Sequence, residues 1–452
     1  MKTTVRIGNA QGFWGDSVDA PLNMVNGGPL DYLTLDYLAE VTLSIMQHQR
    51  QRDPGAGYAR DFPEMLRQVL PVAREKGIRI VTNAAGVNAP ACLVACRKVI
   101  GELGLSGIKI GIVSGDDLMD RLDEVLSGGA HLAHMENGAS LETVRDKVLS
   151  ANVYLDSFGM ARALDEGADI VLTGRTTDPG LTLAPLIHEF GWKKDDWDLL
   201  AAGTVAGHIL ECGAQSTGGN FTRWQEVQDF ENIGYPIAEV TPDGGITITK
   251  HDGTGGMVTV DTVSEQLLYE LGQPDRYITP DVVADFTTIA LAQAGRDRVS
   301  VSGIKGRPAT DTFKVSVNYS KGWKATGQLT VSGPHAEAKA AKVAEIVFGR
   351  LEQAGFRYEE TFHEIIGQVR GAPAGAAATE RVDSLVLVLG VKDADKAKVD
   401  RFGKELAPVI TNGPPGITGF AGGRPKAREV VAFWPALIDK GLVQSRVRVE
   451  EV

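Results

Sequence analysis

His208, Glu211 and Cys212 stand three and four positions apart within GHILECGAQSTGGN, residues 207–220. On a helix this spacing places them on one face. An imidazole, a carboxylate and a thiol so arranged can move protons or ligate a metal. The alternative is structural: His208 as a buried, hydrogen-bonded core residue and Cys212 as a small hydrophobe. Gln215, Ser216 and Asn220 follow among small and glycine residues. They add donors and pliable backbone suited to an acyl carboxylate or phosphate.

A second group is Thr173-Gly174-Arg175-Thr176-Thr177-Asp178. It reads as the end of a strand and the opening of a helix, whose N-terminus favours anions. Arg175 offers a bidentate guanidinium to a carboxylate or a phosphate. Thr177 adds a hydroxyl. Asp178 is either an N-cap, with Pro179 in the first helical turn, or a functional carboxylate. The third is Val5 to Asp16, VRIGNAQGFWGD, a short apolar strand breaking into Asn9, Gln11, Gly12, Gly15 and Asp16. Glycines there permit close backbone approach. Asn83, Ser114 and Asp116 each follow another apolar run. His134 and Glu136 form a further acid–base pair in a loop, near His131. Arg424 follows Gly422-Gly423 and can hold an anion. His208, Glu211, Asp16, His134 and Glu136 are thus the catalytic candidates, and the others are substrate-binding candidates. No metal-ligand set is assigned.

These groups need elements to carry them. The first half alternates short apolar runs with helical periodicity. Strands are expected at 5–8, 77–82, 108–113, 151–155 and 168–173. Helices are expected at 30–47, 62–76, 90–103, 141–149, 158–166 and 178–190, with 32–37 as an alternative strand. Asp116 is expected to cap the helix after it. Such alternation implies a parallel sheet with right-handed crossovers and ligands outside the carboxyl ends of its strands. The second half is strand-rich. Strands are expected at 299–304, 313–319, 325–331, 361–366, 384–391, 429–433 and 443–449, and helices at 336–353 and 394–409. The expected fold is therefore α/β: a parallel layered N-terminal domain, 1–232, and an α+β domain with a mainly antiparallel sheet, 233–452. A short Gly/Ala linker falls at 371–378.

Composition narrows the function. The 452 residues carry a net charge of −12, with 43% hydrophobic and 23% charged residues. No basic cluster marks a nucleic acid or an anionic membrane as partner. Cys92, Cys96 and Cys212 are the only cysteines, no disulfide framework, and the N-terminus lacks a signal-peptide apolar region, so a cytoplasmic protein is expected. Dinucleotide-binding, Walker and nucleophile-elbow motifs are absent, as is any Cys-x-x-Cys.

Taken together, RIGNAQGFWGD, GGPLDYLTLDYLAEVT, VTNAAGVNAP, SGDDL, ADIVLTGRTTDPGLTLAPLIHEFGW, GHILECGAQSTGGNF and FAGGRP resemble the acyclic terpene utilisation protein A (AtuA) family. The resemblance runs from near residue 4 to near residue 425. It implies catabolism of acyclic terpenes through acyl-CoA thioesters, with CoA as part of the substrate and no separate cofactor evident. Longer members carry a small ferredoxin-like C-terminal domain that this chain is expected to lack, so the resemblance also implies a separate small companion protein. The residues point to proton transfer beside a carbonyl, so a lyase-like enzyme is expected. It would be a hydratase, dehydratase or C–C lyase acting on a branched hydroxy-acyl substrate, and a homo-oligomer. The alternatives are a non-catalytic scaffold subunit and a metal-dependent hydrolase.

Overall fold

The computed structural model describes residues 2–367, 384–419 and 422–452. The 371–378 linker and Phe420-Ala421 lie outside the described residues. The chain forms two compact units, 1–318 with 433–452, and 319–432.

The first unit is built on a ten-stranded sheet. Its centre is parallel. β1 (Val5–Asn9), β2 (Tyr32–Leu35), β3 (Arg79–Thr82) and β4 (Lys109–Ser114) belong to it, whereas β5 (Val148–Val153) does not. β6 (Ile170–Thr173) completes the parallel core, in the order β1-β2-β3-β6-β4. β7 (Ile237–Val240) and β8 (Ile246–Thr249) extend it antiparallel beyond β1. The strand Arg446–Glu451 pairs antiparallel with β4 at the other edge. Residue 232 thus falls inside the first unit, because β7 pairs directly with β1.

The core strands are short and apolar, as expected of strands covered on both faces. Leu33, Leu35, Ile80, Ile170 and Leu172 join one cluster with Phe62, Leu66, Val69, Cys92 and Cys96 of the helices Asp61–Lys76 and Ala89–Glu102. Val81 and Val171 are equally buried and face the other way, by the period of two. Cys92 and Cys96 are core residues, as their spacing on an apolar helix implied. Among the described residues no helix is long and apolar enough to cross a membrane.

Several elements differ from expectation. Residues 30–47 are not one helix: β2 takes Tyr32–Leu35 and a helix starts only at Thr42. The β-rich Tyr-Leu-Thr-Leu run prefers the pleated, fully buried position between β1 and β3. Residues 141–149 form two single 3-10 turns followed by β5. β5 pairs with the long strand Thr312–Ser332 rather than with the parallel core. That strand replaces the expected pair 313–319 and 325–331, with Gly322 at φ +87° absorbing the irregularity. The helix expected over 394–409 stops at Phe402, because Gly403 lies against the Pro425 carbonyl and Pro408 disfavours helix just before it.

The second unit has an antiparallel sheet in which Glu360–Ile366 and Ser384–Asp393 pair in register, and Ser384–Asp393 pairs with Trp323 to Ser332. The helix Ala336–Gln353 supplies Val343 and Val347 to a core with Leu329, Leu387, Leu389 and Phe402.

One close approach sets the position of the site helix. Gly207 lies on the helix Trp197–Leu210, immediately before His208. A β-carbon there would come within 2.4 Å of the Pro179 carbonyl oxygen. Gly207→Ala is expected to cost about 1–3 kcal/mol through this backbone clash. Gly101, in the helix Ala89–Glu102, has open space around it. Gly101→Ala should instead stabilise by about 0.5–1 kcal/mol. Urea denaturation of both variants checks the contrast.

Candidate functional site

The parallel strands all end on one side, and polar residues follow directly: Asn9 closes β1, Asp36 follows β2, Asn83 follows β3, and Arg175 to Asp178 follow β6. The helix Trp197–Leu210 ends beside them. Asn9 Nδ2 donates to the Leu210 carbonyl at 2.6 Å, tying the end of β1 to the end of that helix. A β-carbon at Gly12 would lie 2.5 Å from the Gly213 nitrogen, so the loop after β1 can pass there only as glycine.

Between these segments opens a cleft of about 560 Å³. Six carboxylates line it: Asp16, Asp36, Glu40, Asp178, Glu211 and Glu270. Phe13, Tyr235, Tyr269, Cys212, Gln215 and Asn220 also contribute to its wall. Among the described residues no Lys, Arg or His lines it.

The carboxylates are held differently. Asp16 is locked: Gly12 N donates to Oδ2 at 2.9 Å, while Tyr235 Oη at 2.6 Å and Ser17 N at 2.7 Å donate to Oδ1. Gln11 turns aside and donates to the Phe13 carbonyl. Asp36 is only 5% exposed. Its Oδ1 accepts from Asn83 Nδ2 at 2.6 Å and from Leu38 N at 3.0 Å. Burial and the neighbouring Asp178 push its carboxyl well up, against the opposing pull of Arg175 and Asn83.

Glu211 caps the C-terminal end of its helix. Its Oε1 lies 3.0 Å from His208 Nδ1, and its Oε2 is buried without a partner. Burial lifts the carboxyl to about 7, despite the offsetting imidazole. Burial lowers His208, but the Glu211 charge and hydrogen bond outweigh it and raise the imidazole. Tyr277 and Phe286 pack edge-on against that ring, and Gln266 Nε2 donates to the His208 carbonyl. The pair thus sets an imidazole and a carboxyl side by side at the cleft wall.

The model of one family, described as the acyclic terpene utilisation family protein AtuA, matches residues 5–449. The chain belongs to the AtuA family. No curated protein matches it, and no solved structure does. The AtuA match spans both compact units and every segment that builds the cleft.

Within this AtuA chain, Asp16, Asp178, Glu211, Gln215 and Asn220 reach the cleft. Other residues singled out in the sequence lie beneath it. Arg175 is turned inward: it is 1% exposed, with its guanidinium on Asp178 at 2.5 and 3.3 Å, on the Leu38 carbonyl at 2.7 Å and over the Tyr154 ring at 4.1 Å. Asp178 is not the N-cap, a position Pro179 occupies. Asp116 caps no helix; it accepts from Arg175 N at 2.8 Å and Asn152 Nδ2 at 2.9 Å, while Asp117 serves Met119 N. Thr177 is buried, its amide on the Leu155 carbonyl. His208 does not line the cleft; its Nδ1 meets Glu211 Oε1, which does belong to the wall. Ser216 is fully buried and does not line the cleft.

The remainder lie elsewhere. His134 packs edge-on against Trp434 and accepts from the Glu136 amide at 3.2 Å, and neither side chain lines the cleft. This pair makes a local turn. Ser114 ends β4 opposite Arg446. Arg424 is exposed in the second unit. Among the described residues no group of three His, Cys, Asp or Glu has the geometry to hold a metal ion.

Asp36, Glu40, Tyr235, Tyr269 and Glu270 were not legible as site residues. Reading 32–37 as a strand would have placed Asp36 at a carboxyl end, which is the signal available for it.

Cys212 is the one cysteine not fully buried. Burial first, then the Glu211 charge, push its thiol up to about 12. Thiolate is the reactive form, so alkylation by iodoacetamide at neutral pH is expected to be slow, at least about tenfold slower than for a free cysteine. Mass spectrometry of timed samples measures it, and Glu211→Gln should speed the reaction by removing the neighbouring charge.

Proposed function

We propose that this chain is an acid–base enzyme that adds water to, or removes it from, an acyl substrate beside its carbonyl. The observation that carries this reading is the His208–Glu211 pair at the cleft wall, with Glu211 held near 7. A general base works best with a pKa near the operating pH. Glu211 takes the proton from the carbon next to the carbonyl. The hydroxyl on the next carbon departs with that proton as water, leaving the alkene. Hydration runs the same steps in reverse. His208 lends and receives the proton at Oε1 and fixes the carboxylate's orientation.

The family context suggests a branched acyl chain. CoA, where present, would be part of the substrate rather than a resident cofactor. Its phosphates would stay outside a wall of carboxylates, because like charge disfavours them there. A small companion protein and self-association belong to the same reading. Incubation with branched 3-hydroxyacyl and 2-enoyl thioesters in deuterated water tests it. Deuterium entering beside the carbonyl, with gain or loss of water, is expected. Neither change with any thioester, with or without a companion protein, would overturn the reading.

A further inference from the structure

Both hydrogen bonds to Asp36 fall on one oxygen. Asn83 Nδ2 and Leu38 N donate to Oδ1, and among the described residues Oδ2 has no hydrogen bond. Oδ2 is not among the buried orphan atoms, and Asp36 lines the cleft. One oxygen is therefore fixed by the protein while the other faces the cleft. Arg175 makes no hydrogen bond to it: its terminal nitrogens are taken by Asp178 and the Leu38 carbonyl, its plane lies over the Tyr154 ring, and its Nε has no partner, so it acts on Asp36 only through its charge. Around Asp36 the cleft wall carries further carboxylates, and among the described residues no Lys, Arg or His lines it; the cations nearby, Arg175 and Lys314, pair with Asp178 and Glu40 at 2.5 and 3.7 Å.

A carboxylate so placed has no cationic contact, whereas a carboxylic acid satisfies every atom. Its carbonyl oxygen accepts the two fixed donors, and its hydroxyl oxygen is left to donate outward. We infer that Asp36 presents a carboxylic O–H to the cleft at Oδ2, and that the ligand group it takes is the uncharged carbonyl oxygen of an ester or thioester rather than a carboxylate. A free carboxylate would bring charge against Asp178, Glu211 and Glu270. A neutral carbonyl instead accepts the Asp36 proton as a hydrogen bond, which strengthens as the oxygen gains charge when the adjacent C–H is broken. Burial first, and then Asp178, favour the protonated form. The catalytic part of this inference rests on the acid–base reading of Glu211, but the protonation of Asp36 and the ligand class do not.

Two measurements test it separately from turnover. The first is infrared spectroscopy near about pH 8.5, where carboxyls held near 6 to 7, such as Asp116, Glu211 and Asp281, are ionised. A protonated-carboxyl band that shifts in deuterated water is expected in the wild type and absent from Asp36→Asn. Its absence from the wild type, or its persistence in the variant, overturns the inference. The second is calorimetric binding of methyl 3-hydroxy-3-methylbutanoate against the free acid at the same pH. The ester is expected to bind at least about tenfold more tightly. Asp36→Asn, which keeps a donor, should hold that affinity within about threefold, whereas Asp36→Leu should lose about tenfold. Equal or tighter binding of the free acid, or binding of neither, overturns the ligand class. The acid–base reading would survive that result if deuterium still entered an acyl substrate and Glu211→Gln stopped it.

Discussion

Glu211→Gln is expected to lower kcat by about 10²–10⁴. The fold should remain intact. The amide oxygen can still face His208 Nδ1, the shape of the side chain is unchanged, and the helix Trp197–Leu210 keeps its packing on Pro179. What disappears is the proton acceptor. Turnover of the thioester, or failing that deuterium exchange beside its carbonyl, is the measurement. Activity within threefold of wild type would remove Glu211 from the chemistry. Cys212→Ala serves as the neighbouring control: its thiol stays protonated, so it should cost little by comparison.

The pH dependence follows from the same residue. As a base, Glu211 must be ionised, so kcat/KM should climb as pH rises through about 7. Stability moves the other way. The folded protein binds the Glu211 proton more tightly than the unfolded chain, whose carboxyl keeps its ordinary value of 4.5. The contribution of this group is full below 4.5 and is lost as pH rises through about 7. Glu211→Gln should flatten both slopes. A melting temperature that falls between pH 5 and 8 in wild type, and falls less in the variant, would show the cost of holding a base there.

Much of this architecture follows from residue pattern because short apolar strands between helices admit few arrangements. Burial on both faces made β1, β3, β4 and β6 readable as runs without alternation. β2 was harder: Tyr-Leu-Thr-Leu followed by Asp-Tyr-Leu-Ala carries apolar residues at helical spacing too, and only the slot between β1 and β3 decides it. At the site, the types of the residues indicated chemistry but not depth. Arg175 and Asp178 were each visible as candidates at a strand end, one for an anion and the other as a cap or a functional carboxylate. That Arg175 turns inward is set by Asp178, the Leu38 carbonyl and the Tyr154 ring, all distant or indirect in sequence except Asp178. His134 and Glu136 looked equally chemical, but the ring that His134 packs on, Trp434, lies three hundred residues on. Spacing cannot distinguish a local turn from a pair at a cleft.

Arg175 is the residue on which the carboxylate-lined floor depends, and Arg175→Met is expected to cost about 2–3 kcal/mol. The loss is larger than the packing change alone. Methionine fills part of the space over Tyr154, but Asp178 loses its ion-pair partner and is left to the solvent of the cleft, the Leu38 carbonyl loses its donor, and Asp36 loses the nearby cation that opposes its rise. Lysine is not a rescue, because it offers a point charge where a planar fork meets a carboxylate and stacks on a ring. Arg175→Met combined with Asp178→Asn should cost less than the sum of the two single changes, since the second removes the charge that the first strands. Urea denaturation of the four proteins closes the cycle. Strict additivity, or a single-variant cost below about 1 kcal/mol, would show the ion pair to be incidental. The expected coupling would instead mean that one buried cation lets this fold gather carboxylates at the ends of its parallel strands. Burial first, and then that concentration of acid groups, push the carboxyls of Glu211 and Asp36 up.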